Sequence, residues 1–254
     1  MPPVNIVVAN VYEALGVSTD TPHADLKKNI GRVHRNTRIA HAFRQANSFL
    51  SAEEQQKALR FRFARDSLLY AHAHALLRHE LSMNHPEIKP AAWTFCAGRC
   101  GKPYLTGRYR TLWFNLSHAW PFIAVLTCSA GRCGVDIERA ETPPAYDEIS
   151  EHALHAEERA AIHESNKPGT LFLQYWTMKE AVCKAIGCGM PRGFPALRIQ
   201  PGLQAVLLNG RRLFACLATT ADVTAGYVLA GCCLTRRASA CEATSVRLER
   251  LGAT

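Results

Sequence analysis

No stretch of this 254-residue chain approaches the roughly 18 consecutive apolar residues of a membrane helix, which argues against a bundle of spanning helices. The opening residues, MPPVNIVVANVYEALG, have no basic segment ahead of their apolar ones; a secretory leader is not expected and a cytoplasmic location is. CxxC is absent. The ten cysteines include the pairs Cys96/Cys100, Cys128/Cys133, Cys183/Cys188 and Cys232/Cys233, and none of these spacings matches a zinc template. In a large chain without an export signal they read as reduced, mostly buried thiols. There is no low-complexity tract and no clear internal repeat. Acid is nearly missing from residues 23–47, which carry Lys27, Lys28, Arg32, Arg35, Arg38 and Arg44. That segment reads as solvated or poorly ordered. It also lacks interleaved aromatics, so stacking on nucleic-acid bases gets no support.

What is present fits a folded, water-soluble protein: 48% hydrophobic and 20% charged residues, enough chain for one large domain or two smaller ones. A net charge of +9 favours anionic partners.

Residues 172–189, FLQYWTMKEAVCKAIGCG, read as a helix stopped by Gly187 and Gly189. Leu171, Tyr175, Met178, Val182 and Ile186 form its core-facing stripe. Trp176, Glu180 and Lys184 stand four apart on another face, so a carboxylate sits one turn before an ammonium. Upstream, Ser51 with Glu53 and Glu54 starts a helix that breaks near residues 61–66 and restarts, with Leu68, Leu69, Ala73, Leu76 and Leu77 buried. Gly101-Lys102-Pro103 is a turn that presents a lysine beside approachable backbone. Residues 113–118, WFNLSH, end in Ser117-His118, which could donate to a phosphate.

Residues 122–128 read as a buried strand, joined by a turn at 129–132 to a partner strand over 133–138 in a hairpin. In that second strand Gly134, Asp136 and Glu138 share a face. Two carboxylates there repel each other, and a hard cation such as Mg²⁺ would relieve the repulsion. Glu157 and Glu158, in an acidic helical piece, read as surface charges. The C-terminal part is β-rich: Asn209-Gly210 predicts a two-residue hairpin turn, and residues 227–234 another buried strand. The fold class is α+β.

Three blocks, in this order, resemble the Sfp-type 4′-phosphopantetheinyl transferases: Gly101-Lys102-Pro103 with Phe114-Asn115-Leu116-Ser117-His118; Gly134-Val135-Asp136-Ile137-Glu138; and Trp176-Thr177-Met178-Lys179-Glu180-Ala181 through Lys184, Gly187 and Gly189. The likeness runs from about residue 49 to about 234. It implies two similar lobes related by a pseudo-twofold, each a helix on a small antiparallel sheet, with a ligand cleft between them. The lobes would be 49–132 and 133–254, after an N-terminal segment 1–48 and with a polar tail from about 235. It implies transfer of phosphopantetheine from coenzyme A (CoA) to a serine of an acidic acyl or peptidyl carrier protein of fatty acid, polyketide or nonribosomal peptide synthesis, releasing 3′,5′-ADP. Asp136, Glu138 and Glu180 are implied as Mg²⁺ ligands, Lys184 as the diphosphate contact, and Glu180 or Glu157 as general base. Lys57, Gly101, Lys102, Pro103, Ser117 and His118 are implied as CoA contacts. Glu54 falls where some members carry a second lysine, leaving Arg60, Arg62 and Arg65 as candidate replacements. A monomer is expected, without membrane or nucleic-acid partners. Two rival readings share the residues: another Mg²⁺-dependent phosphoryl enzyme, which would hydrolyse without a carrier protein, and a non-catalytic basic binding protein.

Overall fold

The structure is a computed structural model. It describes residues 4–16, 24–33, 37–98, 100–141, 143, 146–187, 194, 197–200, 206–208, 211–213, 215–219, 226–234 and 244–249. Strand β1 (Val4–Asn10) leads into a short helix α1 (Val11–Leu15), then α2 (Arg38–Asn47), α3 (Ala52–Leu59) and α4 (Ala64–Asn84). A small ladder joins β2 (Cys96–Ala97) to β3 (Pro103–Tyr104), and β4 (Trp113–Ala119), β5 (Phe122–Cys128) and β6 (Arg132–Arg139) follow. Next come α5 (Tyr146–Ala153), α6 (Ala156–His163) and α7 (Pro168–Ile186). The chain continues with β7 (Leu197–Ile199), β8 (Val206–Leu208), β9 (Arg211–Leu213), β10 (Ala215–Thr219), β11 (Tyr227–Leu234) and β12 (Thr244–Glu249). The mixed α+β class is as expected. No helix among the described residues is long and apolar enough to cross a membrane.

The chain divides into two compact units. One comprises residues 1–6, 95–116 and 126–246; the other 7–94, 117–125 and 247–254. In the first, α7 packs on the antiparallel sheet β10-β11-β6. Tyr175, Met178, Val182 and Cys183 on α7 meet Val228, Ala230 and Cys232 on β11 in one buried cluster. Gly187 ends α7 in a left-handed conformation (φ 80°), and its N–H returns to Cys183 O. Of the expected Asn-Gly hairpin, the strands β8 and β9 pair antiparallel, Leu208 opposite Arg211, while the Asn209-Gly210 turn lies outside the described residues.

The expected hairpin of 122–128 with 133–138 does not form. Strand β5 belongs to the sheet β12-β1-β5-β4, whereas β6 pairs with β11 from Tyr227↔Arg139 to Leu234↔Arg132. The turn at 129–131 passes the chain from one sheet to another. Two neighbouring apolar runs do not specify which strand each will pair with.

In the second unit α4 is buried along most of its length and packs with α2 and α3. Residues 38–47, expected to be solvated, form α2 and bury Ile39, Ala40, Ala42, Phe43 and Ala46. Its charges occupy the opposite face, an amphipathic pattern hidden by the local excess of base. The break between α3 and α4 falls at residues 60–63, as expected.

Glu54 is buried and does three jobs. It completes a capping box with Ser51, accepts from Arg78 Nε at 2.7 Å, and faces His74 Nδ1 at 3.0 Å. Arg78 also donates to Pro90 O and Trp93 O, tying α4 to the segment beyond it. Burial alone would raise the Glu54 pKa. Hydrogen bonds and charge from His74 and Arg78 outweigh it and lower the value from 4.5 to about 2. A group depressed on folding contributes fully above its unfolded pKa, and that contribution is lost as pH falls through the folded one. The wild-type melting temperature should therefore fall more steeply between pH 4.5 and 2 than that of Glu54→Gln. At pH 7 the variant should be less stable by about 3 kcal/mol, because Arg78 loses its buried counterion. Parallel pH–melting curves for the two proteins would contradict this account.

Candidate active site

Strand β6 and helix α7 touch backbone to backbone at Gly134. A Cβ on that residue would lie 2.5 Å from Ala185 N and closer still to Ala181 O, so only glycine fits. With period two, Asp136 and Glu138 follow Gly134 on the face turned to α7. With a spacing of four, Glu180 and Lys184 project side by side from the helix. The strand and helix patterns thus meet in one charged group. Lys184 Nζ donates to Asp136 Oδ1 at 2.6 Å, with Asp136 buried and Lys184 partly exposed. On the far edge of β6, Asn115 of β4 accepts from Val135 N at 2.8 Å. A side chain there takes the place of a ladder bond.

The carboxylates sense one another. Burial, then the charge of Asp136, raises the Glu138 pKa to about 6 despite Lys184, with Glu180 adding to the rise. Glu180 is raised for the same two leading reasons, burial and Asp136. As the side chains stand, no three His, Cys, Asp or Glu residues among those described gather at metal-binding range. The donor set still suits Mg²⁺, which takes oxygen ligands, keeps waters, and usually needs one or two carboxylates plus substrate phosphates. A divalent cation would also relieve the repulsion that lifts Glu138 and Glu180.

Lys102 follows Gly101 (φ 79°) in the β2–β3 connection, and its ammonium donates to Cys133 O (2.6 Å) and Lys184 O (2.5 Å). Burial lowers its pKa. Lys102 lines a cavity of about 590 Å³ whose walls include Leu105, Trp113, Phe114 and Ile186, with Arg110 and Arg132 also lining it. The Arg132 guanidinium lies over the Trp113 ring at 5.8 Å. Pro103 and Gly187 line the same cavity. Lys57 (exposed), Ser117 (buried) and His118 (exposed) belong to the other compact unit. Lys57 sits 5.1 Å from the Tyr70 ring centroid.

The two acids that open α6 part company. Glu157 is half exposed and paired with Arg198. Glu158, expected at the surface, is 1% exposed. It accepts from Lys179 Nζ (2.7 Å), His155 N (2.8 Å) and Ile199 N (2.7 Å). Lys179, fully buried, also donates to Ala153 O and Phe194 O. In the sequence Glu158 reads as a surface charge and Lys179 has no role of its own. The available signal was a lysine beside the buried Met178 on a helix whose other face already carried the charged pair.

Two family models match. That of the 4′-phosphopantetheinyl transferase superfamily covers residues 132–232, and that of the 4′-phosphopantetheinyl transferase N-terminal region covers 37–130. The chain is 28% identical over 202 residues to the 4′-phosphopantetheinyl transferase psf-1 of Bacillus pumilus, covering 78% of this chain and 84% of that one. It is 38% identical over 120 residues to AcpT of Escherichia coli K12, another 4′-phosphopantetheinyl transferase, covering 44% and 54%. A Synechocystis protein named for the same activity is 30% identical over 149 residues, and the match spans 58% of this chain and 60% of that relative. With both models matching in order along the chain, it belongs to the 4′-phosphopantetheinyl transferase family.

The glycine contact yields a direct test. Gly134→Ala should lower unfolding stability by about 3 kcal/mol, since the clash is with backbone that cannot move aside cheaply. An unchanged urea midpoint would show that β6 and α7 are not in contact there.

Proposed function

We propose that the protein transfers the 4′-phosphopantetheine group of CoA to a serine of an acyl or peptidyl carrier protein, with Mg²⁺ held by Asp136, Glu138 and Glu180. The observation that carries this reading is the charge-coupled group on β6 and α7: three carboxylates, two with raised pKa, and one lysine already engaged with Asp136. Two similar lobes, as in the family likeness, belong to the same reading.

The attacked phosphorus sits in an anionic diphosphate. A bound Mg²⁺ would supply the neutralisation that lets a hydroxyl approach it and would stabilise charge on the departing phosphate. Lys184 adds a mobile cation on the same face and can exchange Asp136 for a phosphate oxygen. Glu180 is the candidate base, a carboxylate on the same face as Asp136 and Lys184. Glu157 is the second candidate, although its pairing with Arg198 directs it to another partner. Arg110 and Arg132, in a largely apolar cavity that Lys102 also lines, suit an aromatic, phosphorylated body such as the nucleotide end of CoA. Lys57, Ser117 and His118 are proposed as further CoA contacts. The net charge of +9 would steer both CoA and an acidic carrier protein toward the chain.

The test is the intact mass of an apo acyl carrier protein after incubation with the protein, CoA and Mg²⁺. A gain of one phosphopantetheine is expected. It should be abolished by chelation and slowed about 10²–10³-fold by Asp136→Ala or Glu180→Ala. CoA cleaved with no gain on the carrier would indicate a hydrolase using the same carboxylates. Intact CoA and unmodified carriers of several pathways, with the protein folded, would remove the transferase reading.

A further inference from the structure

We infer that Lys102 is a positioning residue that clamps the carboxylate strand to the helix bearing Glu180 and Lys184, rather than a ligand for the CoA phosphates. The inference rests on the transferase reading of that site. Its basis is where the ammonium goes. Lys102 Nζ donates to Cys133 O on β6 and to Lys184 O on α7, at 2.6 and 2.5 Å. An ammonium has three donors, and two are committed to backbone. The two acceptors flank the machinery: Cys133 is the residue before Gly134, and Lys184 is the residue whose side chain holds Asp136.

The second acceptor has a reason to want a cation. Lys184 O lies in the last turn of α7, just ahead of the Gly187 cap. It also lies at the negative end of the helix dipole. The first acceptor lies one residue from the glycine contact, where no side chain separates strand from helix. Three ties therefore meet at one crossing: the Gly134 contact, the Lys102 clamp and the Lys184–Asp136 pair. The clamp fixes the main chain of Lys184 while the Lys184 side chain reaches Asp136. Rotation or fraying of the last turn of α7 would move that side chain off its carboxylate. The Lys102 stem also packs against this end of the helix, since a Cβ at Gly187 would meet its Cδ at 3.6 Å.

A clamp and a ligand contact differ in what they change. Lys102→Met keeps the stem and removes the donors; Lys102→Arg keeps a cation able to bridge two carbonyls. Each would be compared with wild type by CoA titration calorimetry, by transfer kinetics at a temperature where all three are folded, and by amide exchange. For Lys102→Met we expect CoA affinity within about twofold of wild type and kcat at saturating CoA reduced at least tenfold. Amide exchange should be faster in peptides covering 132–138 and 181–187 but not in α4. Lys102→Arg should recover most of the lost kcat. A tenfold loss of CoA affinity with kcat retained would overturn the inference in favour of a direct phosphate contact. Unchanged exchange at 181–187 in Lys102→Met would overturn it whatever the kinetics. Should wild type itself transfer nothing, the functional reading fails on that arm, and the exchange arm still decides whether the clamp exists.

Discussion

The charged face depends on one close approach. Where β6 crosses α7, the strand offers a glycine and the helix offers bare backbone at Ala181 and Ala185. Any side chain at Gly134 would wedge the two apart by the width of a methyl group. Asp136 and Glu138 would then no longer share a volume with Glu180 and Lys184. Their pKa shifts are the electrostatic signature of that sharing: two glutamates raised first by burial, then by the neighbouring Asp136. The face is therefore made by packing and only afterwards by charge.

Packing so close needs α7 held in register, and buried polar pairs supply this. Lys179, next to Glu180, is entirely enclosed and paired with Glu158, whose oxygens also accept backbone N–H groups at His155 and Ile199. Such a pair adds little net stability over a well-packed apolar substitute, but breaking it costs several kcal/mol. Its geometry admits few alternatives. One turn of helix thus sends Lys179 inward to fix rotation while Glu180 and Lys184 stay half accessible. The Glu54–Arg78 pair plays the corresponding part in the second compact unit, joining the start of α3 to α4 and to the backbone at Pro90 and Trp93.

Much of this was legible in the sequence, for identifiable reasons. The long helix, its buried stripe and its charged line follow from periodicity alone, and the shared face of Gly134, Asp136 and Glu138 from strand alternation. The break after α3 and the pairing of β8 with β9 follow from local chemistry. What failed were choices decided by distant residues. Strand 122–128 is equally apolar whichever partner it takes, so its assignment to one sheet and that of β6 to another could not be read locally. Glu158 and Glu157 look alike in sequence; only the position of Lys179 makes one a core residue. Residues 38–47 hid an amphipathic helix behind an excess of base. Glu54 looked like a missing lysine, and it is the anchor of a buried arginine.

These departures bear on how a basic protein can maintain an acidic site. The chain carries nine more positive than negative charges, yet Asp136, Glu138 and Glu180 converge on a single face. Surface cations some distance away cannot neutralise that face, since water and salt screen them within about 8–10 Å. Among the described residues Lys184 reaches it directly, engaging Asp136 and leaving Glu138 with its pKa at about 6. One lysine against three carboxylates leaves an excess of negative charge that a diphosphate substrate would enlarge. On the proposed reading, a divalent cation would offset that excess, and the diphosphate would enter with it rather than against an uncompensated acidic face. The same arithmetic favours keeping Lys102 on the backbone. A second mobile ammonium beside Asp136 would compete for the oxygens that the cation needs, whereas a lysine spent on two carbonyls holds the face open without occupying it.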